Sequence, residues 1–276
     1  MKKVSTFRIR WSGAKGLNAP VPLSWPVDPL TKDLIERQLR RQVLWLKDSW
    51  LWLLRTKVLA GRPTGLPRPT TLDVGCGPGF VMDALKGELS VEGVDRDPDM
   101  VAACRARGFD ATLADARSLP FASGSFDMSY CSFLLLWVED PARVVREMAR
   151  VSRGWVLALA EPDYGGRIDH PDRLGALGRS VARAIEERGG DPFIGRKLRD
   201  VFARCGLNVE VGVHPGVWDI ERHRKEFEDE WRGFELLAGD SRREELDSLK
   251  ATWRDALVEG TLFQYNPIFY ALGWRA

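Results

Sequence analysis

The hydrophobic pattern changes period repeatedly along the chain. From Asp28 onward, Ile35, Leu39, Val43, Leu46, Trp50 and Leu53 recur at steps of three and four, which is one face of a long helix. Gly61-Arg-Pro-Thr-Gly-Leu-Pro-Arg-Pro then breaks the pattern and reads as a linker. Beyond it, short apolar runs alternate with helical stretches. Strands are predicted at Thr71–Val74, Val91–Val94, Ala111–Ala114, Phe126–Phe133, Trp155–Ala160 and Val209–Val213. A last strand, bent at Pro267, is expected over Leu262–Trp274. Asp97-Pro98, Asp140-Pro141 and Asp191-Pro192 mark helix starts, and Gly108 and Gly206 mark stops. Alternation of this kind predicts an α/β chain with a doubly wound sheet.

Two inserts interrupt the rhythm. After the fifth strand, Leu174, Leu177, Val181 and Ile185 give an extra amphipathic helix. After the sixth, two helices are expected, one with Phe227, Trp231 and Phe234 inward and one with Leu246, Leu249, Trp253 and Leu257 inward. Ser241 and Glu244 form a capping box for the second.

Composition narrows the class. At 44% hydrophobic and 29% charged, the 276 residues can bury a core, which excludes a disordered or collagen-like chain. Cys76, Cys104, Cys131 and Cys205 show no Cys-x-x-Cys spacing, and the three histidines lie far from them, so neither a zinc site nor a disulfide framework is expected. The first twenty residues lack an apolar core, and the most apolar stretch, Val43–Leu54, contains Lys47 and Asp48. A cytoplasmic protein without a membrane span is the expectation. The net charge of +2 is unevenly spread: residues 1–70 carry fourteen Lys/Arg against four Asp/Glu. That asymmetry fits either an anionic partner or a segment that packs on the acidic remainder. Residues 217–260 hold thirteen Asp/Glu against eight Lys/Arg, which favours the second.

The sharpest chemical signal is Asp73-Val-Gly75-Cys76-Gly77-Pro-Gly79, a buried strand running into three alternate glycines and then a helix. Glycines there let the backbone approach a ligand and take positive φ. The spacing is not the dinucleotide Gly-x-Gly-x-x-Gly, and no Gly-Lys-Ser/Thr follows, so a P-loop is excluded. Asp95 ends the second strand, where a carboxylate can accept both hydroxyls of a ribose. Asp115 ends the third, where it can accept from an adenine amine.

Leu-Asp-Val-Gly-Cys-Gly-Pro-Gly, Val-Glu-Gly-Val-Asp, Asp115-Ala-Arg-Ser-Leu-Pro-Phe and Ser-Phe-Asp-Met-Ser-Tyr-Cys-Ser together resemble the class I S-adenosylmethionine-dependent methyltransferases, in the type 11 small-molecule group. The resemblance runs from about Thr71 to Val213. It implies a Rossmann-like seven-stranded sheet with an antiparallel last strand, and S-adenosyl-L-methionine as cofactor. Carried over by position, Gly75, Cys76, Gly77 and Gly79 would approach the methionine end, with Asp73 helping to hold its ammonium. Asp95 would bind the ribose and Arg96 would cover the adenine. Asp115 and the Ala116 N–H would read the adenine edge. Cys131 and Ser132 would line the methyl-donor side.

The acceptor is less marked. No Asn/Asp-Pro-Pro-Tyr or Pro-Cys motif is present, and Leu136 precedes Trp137 where many members of the group carry a histidine. Glu161, Asp163 and Tyr164 at the end of the fifth strand are the candidate catalytic groups, with His170 further on. The alternative is that Glu161 caps the sheet and His170 is a surface residue. The expected organisation is a basic segment and helix over 1–66, a cofactor-binding core over 67–216 with a helical insert at 164–190, a helical insert over 217–260 and a final strand over 261–276. The end segments and inserts would form a lid that favours a bulky apolar or aromatic acceptor methylated at O, N or C. An RNA methyltransferase using the basic segment and a non-catalytic cofactor-binding module are the alternatives. A nucleic-acid partner is not expected, because no RNA-binding module is recognised.

Overall fold

The computed structural model describes residues 29–217, 219–238 and 243–275. The basic segment before residue 29, Trp218 and the Ser241 capping box lie outside them. Helix α1 (Pro29–Leu53) runs into a single wide turn at Leu54–Val58. The alternating section follows: β1 (Thr70–Val74), α2 (Phe80–Leu85), β2 (Ser90–Asp95), α3 (Pro98–Ala106), β3 (Ala111–Leu113), β4 (Met128–Ser132), α4 (Pro141–Val151) and β5 (Val156–Pro162). Then come β6 (Ile168–His170), α5 (Gly175–Glu186), α6 (Ile194–Ala203), β7 (Asn208–Val213), α7 (Ile220–Ala238), α8 (Arg243–Glu259), β8 (Phe263–Tyr265) and β9 (Ile268–Trp274).

The main sheet has seven strands in the order β3-β2-β1-β4-β5-β9-β7. Strand β9 is antiparallel to both neighbours, β5 and β7, while the other pairs are parallel. The order reverses between β1 and β4, which opens a crevice at their carboxyl ends. Asp97 and Asp140 cap α3 and α4 as expected, accepting from the Asp99 N–H at 2.8 Å and the Arg143 N–H at 2.9 Å.

The single bent strand expected over Leu262–Trp274 is two strands in two sheets. Strand β8 pairs with β6 in a separate two-stranded sheet, and β9 enters the main one. Pro267 stands between them; it has no N–H to give a ladder, and its carbonyl accepts from the Asp163 N–H at 3.0 Å. Strand β4 begins at Met128, because Phe126 makes only an isolated bridge to Ser152. Asp191 does not cap α6: it accepts from the Phe193 N–H at 3.0 Å, and the helix starts at Ile194.

Each sheet face has its own core. Val144, Val145 and Met148 of α4, Val181 and Ile185 of α5, and Leu198 and Phe202 of α6 cover one face. Leu46, Trp50, Leu53 and Leu54 cover the other, against Tyr130, Leu157, Leu159 and Leu272. The later half of α1 is therefore a sheet-packing helix. Trp50, on the apolar face of the helix expected in the lid, packs on the sheet and donates its indole N–H to the Leu159 carbonyl at 3.1 Å. The other aromatics do form a satellite core: Phe227, Trp231 and Trp253 pack with Leu174, Leu177, Leu246 and Leu249.

The earlier half of α1 is held differently. Arg37 and Arg41 meet Asp229 and Glu226 of α7 at 3.7 and 3.8 Å. Glu36 pairs with Arg107 at 2.6 Å, and the guanidiniums of Arg40 and Arg107 lie 4.6 and 4.1 Å from the Phe80 ring centre. The basic segment and the acidic insert thus attract one another where both are described.

Candidate active site

The glycine loop leaves β1 in a tight turn in which Gly75, Gly77 and Gly79 have φ of +76°, +52° and +83°. A side chain would be strained at these angles. A Cβ on Gly77 would meet nothing within 4 Å, so the loop presents bare backbone to open space. The loop rests on β2 through Gly93, where a Cβ would stand 2.7 Å from the Cys76 sulfur. That requirement gives a reason for the glycine in Val-Glu-Gly-Val-Asp.

Asp95 clamps the loop. Its Oδ2 accepts from the Gly77 N–H at 2.9 Å and its Oδ1 from the Asp97 N–H at 3.0 Å. Burial holds its pKa above the usual carboxylate range, against those N–H groups. Asp115 is fixed by a neighbour that the sequence reading passed over. Arg117 donates Nη2 to Oδ2 at 2.6 Å, Nε to both oxygens at 3.0 and 3.1 Å, and its backbone N–H at 2.8 Å. The guanidinium lowers the Asp115 pKa.

These groups line one cavity of about 260 Å³. Its floor is Gly75–Pro78, Asp95–Asp97 and Ala114–Arg117. Leu39, Gln42, Val43 and Trp50 of α1 form one wall, and Ser132, Phe133, Leu134, Trp137 and Val138 form another. The sequence marks Ser132 among these; Phe133, Leu134 and Val138 were missed because apolar side chains carry no chemical signature. The lining has four carboxylates, Asp95, Asp97, Asp115 and Glu139, against Arg96 and Arg117, a balance that suits a cationic ligand. The Ser132 hydroxyl is buried there without a hydrogen-bond partner. Bare glycine backbone, a clamped carboxylate at the end of β2 and an acidic lining fit S-adenosylmethionine.

The cavity brings together Gly75, Cys76, Gly77, Asp95, Arg96, Asp115, Ala116 and Ser132 of the expected cofactor set. Asp73, Gly79 and Cys131 lie behind its wall. Asp73 is buried, which pushes its pKa well up. Gly79 precedes α2 and abuts Cys104, and Cys131 sits in the sheet core.

None of the three candidate catalytic groups lines the cavity, because each is engaged elsewhere. The Glu161 carboxyl accepts from the N–H groups of Leu134, Leu135 and Leu136 at 3.0, 2.8 and 3.3 Å. Asp163 forms a bidentate pair with Arg196 at 2.5 and 2.7 Å and accepts from the Gly165 N–H. Tyr164 packs against the sheet core. His170 is exposed on β6. Among the described residues no cluster of His, Cys, Asp or Glu could hold a metal ion, and no helix is long and apolar enough to cross a membrane.

Comparison with known proteins agrees with this geometry. Residues 72–157 match the family model described as a methyltransferase domain. A trans-aconitate 2-methyltransferase from Mycobacterium sp. (strain KMS) is 32% identical over 51% of this chain and 52% of its own length. The chain thus spans about half of that relative. A Rattus norvegicus protein named arginine-hydroxylase NDUFAF5, mitochondrial, is 26% identical over 95% of this chain and 83% of its own. A solved S-adenosylmethionine-dependent methyltransferase from Thermotoga maritima shares the fold, with a TM-score of 0.50 and 18% identity over 88% of this chain and 99% of that one.

Proposed function

We propose that this chain, whose residues 72–157 match a methyltransferase-domain model, is a class I S-adenosylmethionine-dependent methyltransferase that transfers a methyl group to an uncharged, largely apolar organic acceptor. The observation that carries the acceptor reading is the split character of the cavity. Charged residues gather on the floor and at Glu139 beside Val138, while the walls are otherwise Leu39, Val43, Trp50, Phe133, Leu134, Trp137 and Val138, with Gln42 and Ser132 as neutral polar groups.

When bound, the cofactor supplies an electrophilic methyl group on a sulfonium. The protein's part is then positioning. The Gly75–Gly77 backbone meets the methionine end, Asp95 accepts the ribose hydroxyls, and Asp115, held by Arg117, accepts from the adenine amine. The apolar walls exclude water from the reacting atoms, and Gln42 and Ser132 orient the acceptor by neutral hydrogen bonds. Glu139, next to Val138, is the titratable side chain on that side of the lining. The reading covers transfer to O, N or C, with Glu139 the group there that can take a proton where the acceptor atom must lose one.

The test has two arms. Calorimetry with S-adenosylhomocysteine probes the cofactor site; absence of binding sinks the proposal. Transfer of labelled methyl groups to uncharged aromatic and aliphatic acceptors is then compared with transfer to trans-aconitate. A preference for the tricarboxylate overturns the uncharged-acceptor reading.

One observation supports a second reading, a protein arginine as substrate: the relative named an arginine hydroxylase aligns over 95% of this chain. Under it, an arginine peptide incubated with S-adenosylmethionine gains one CH2 unit, a methyl group replacing a proton, and the small-molecule panel does not react.

A further inference from the structure

We propose that Glu161 is a positioning residue, whose buried carboxyl group holds the Phe133–Trp137 segment in the shape that walls the methyl-donor side of the cavity. The inference rests on the methyltransferase reading only for what the wall faces.

The segment needs a brace. Between Cys131 and Ser132 the β4–β5 register slips, and Phe133 sits at φ +53°, a left-handed conformation that a residue with a side chain rarely holds unaided. Its N–H is tied to the Ala160 carbonyl at 2.7 Å. The next residues begin a short 3-10 turn, Leu135–Trp137, whose first N–H groups have no partner within the turn. Glu161 takes three of these orphans. Oε1 accepts from Leu134 at 3.0 Å and Leu135 at 2.8 Å, and Oε2 accepts from Leu136 at 3.3 Å. Phe133, Leu134 and Trp137 line the cavity, whereas Glu161 does not. It acts through them.

The brace is tied to a proton. Glu161 is fully buried, and among the described residues no Lys, Arg or His pairs with it. The thiol of Cys131, on β4, is the titratable group that faces it. Burial pushes the Glu161 pKa up to about 8, with the three N–H groups opposing. The neutral acid keeps one good acceptor oxygen for Leu134 and Leu135. Its second oxygen then carries the proton, so the longer Leu136 bond weakens. Ionisation restores all three.

The experiment uses the full chain, residue-resolved amide exchange and S-adenosylhomocysteine binding between about pH 6.5 and 9.5. In the wild type, protection of the Leu136 amide, corrected for intrinsic base catalysis, rises with a midpoint near 8, and the S-adenosylhomocysteine affinity changes with the same midpoint. Glu161→Gln abolishes both inflections and speeds Leu136 exchange about tenfold. Glu161→Asp, one methylene short, does not restore protection. Cys131→Ala keeps both inflections.

A flat wild-type profile, inflections that survive Glu161→Gln, or inflections lost in Cys131→Ala overturn the proposal. If Glu161→Gln does not fold, the wild-type and Cys131→Ala series decide alone. Failure of the wild type to bind S-adenosylhomocysteine at any pH sinks the methyltransferase reading, while the amide data still decide the brace.

Discussion

Asp95→Ala offers the most direct quantitative test of the cofactor site. Asp95 lines the cavity and already accepts the backbone N–H groups of Gly77 at 2.9 Å and Asp97 at 3.0 Å, and a carboxylate offers about four acceptor sites in all. Two ribose hydroxyls can use sites that remain. Hydrogen bonds to a charged group contribute about 1.5–3 kcal/mol each, so the pair supplies about 3–6 kcal/mol. Asp95→Ala should therefore weaken S-adenosylhomocysteine binding roughly 10²- to 10⁴-fold. Asp95→Asn keeps the shape but turns a donor toward one hydroxyl, and should fall between the two. Loss of the loop clamp could mimic lost ribose contacts, and the 2′-deoxy analogue separates them. The wild type should discriminate against it roughly ten- to a hundredfold, and the alanine variant should not discriminate. Calorimetry gives the four dissociation constants, and thermal unfolding checks that the variant is folded. Binding of S-adenosylhomocysteine by Asp95→Ala within about threefold of wild type, or retained discrimination against the deoxy analogue, refutes the assignment.

Three further outcomes are expected. Trp50→Phe should cost about 1 kcal/mol in urea unfolding, because it loses the bond to the Leu159 carbonyl but keeps most of the packing; Trp50→Ala should cost about 3–5 kcal/mol. Equal costs would show that the hydrogen bond, not the packing, holds the ring. Glu226→Lys should destabilise by about 1–3 kcal/mol, since Arg41 is nearly buried and would face a like charge, and Arg41→Glu in the same chain should recover part of the loss. No recovery in the double variant would dismiss the attraction between α1 and α7. His214 is buried neutral, with Nε2 on the Leu159 carbonyl at 2.6 Å, and burial lowers its pKa from the ordinary 6.5. The unfolded chain therefore takes up the proton first, so stability contributed by His214 is complete above pH 6.5 and is lost as pH falls below it. Denaturant melts of wild type and His214→Asn across that range should diverge on the acid side, and parallel curves would contradict this.

The sheet strands were legible because a buried parallel strand is a short apolar run, and the cofactor floor because glycines and strand-end acids are chemically distinct. The two-stranded β6–β8 sheet was not legible, since strands of three residues carry too little periodicity. Glu161 shows another limit. A carboxylate at a strand end looks the same in sequence whether it faces a ligand or an orphaned backbone turn. Arg117 was available as a signal, being an opposite charge two residues from Asp115. The cavity walls were not, because Phe133 and Leu134 resemble core residues until the chain turns them outward.

Helix α1 joins two kinds of adhesion in one rod. Its later half is fastened by apolar burial, which salt barely touches. Its earlier half is fastened by Glu36, Arg37, Arg40 and Arg41, through ion pairs and cation–ring contacts that mobile ions weaken. The cavity straddles the join: Leu39 lies in the earlier half, while Val43 and Trp50 of the later half line it as well. Ionic strength thus acts more on one end of the covering than on the other. The rates at which ligands enter and leave should depend on salt more steeply than the unfolding midpoint does.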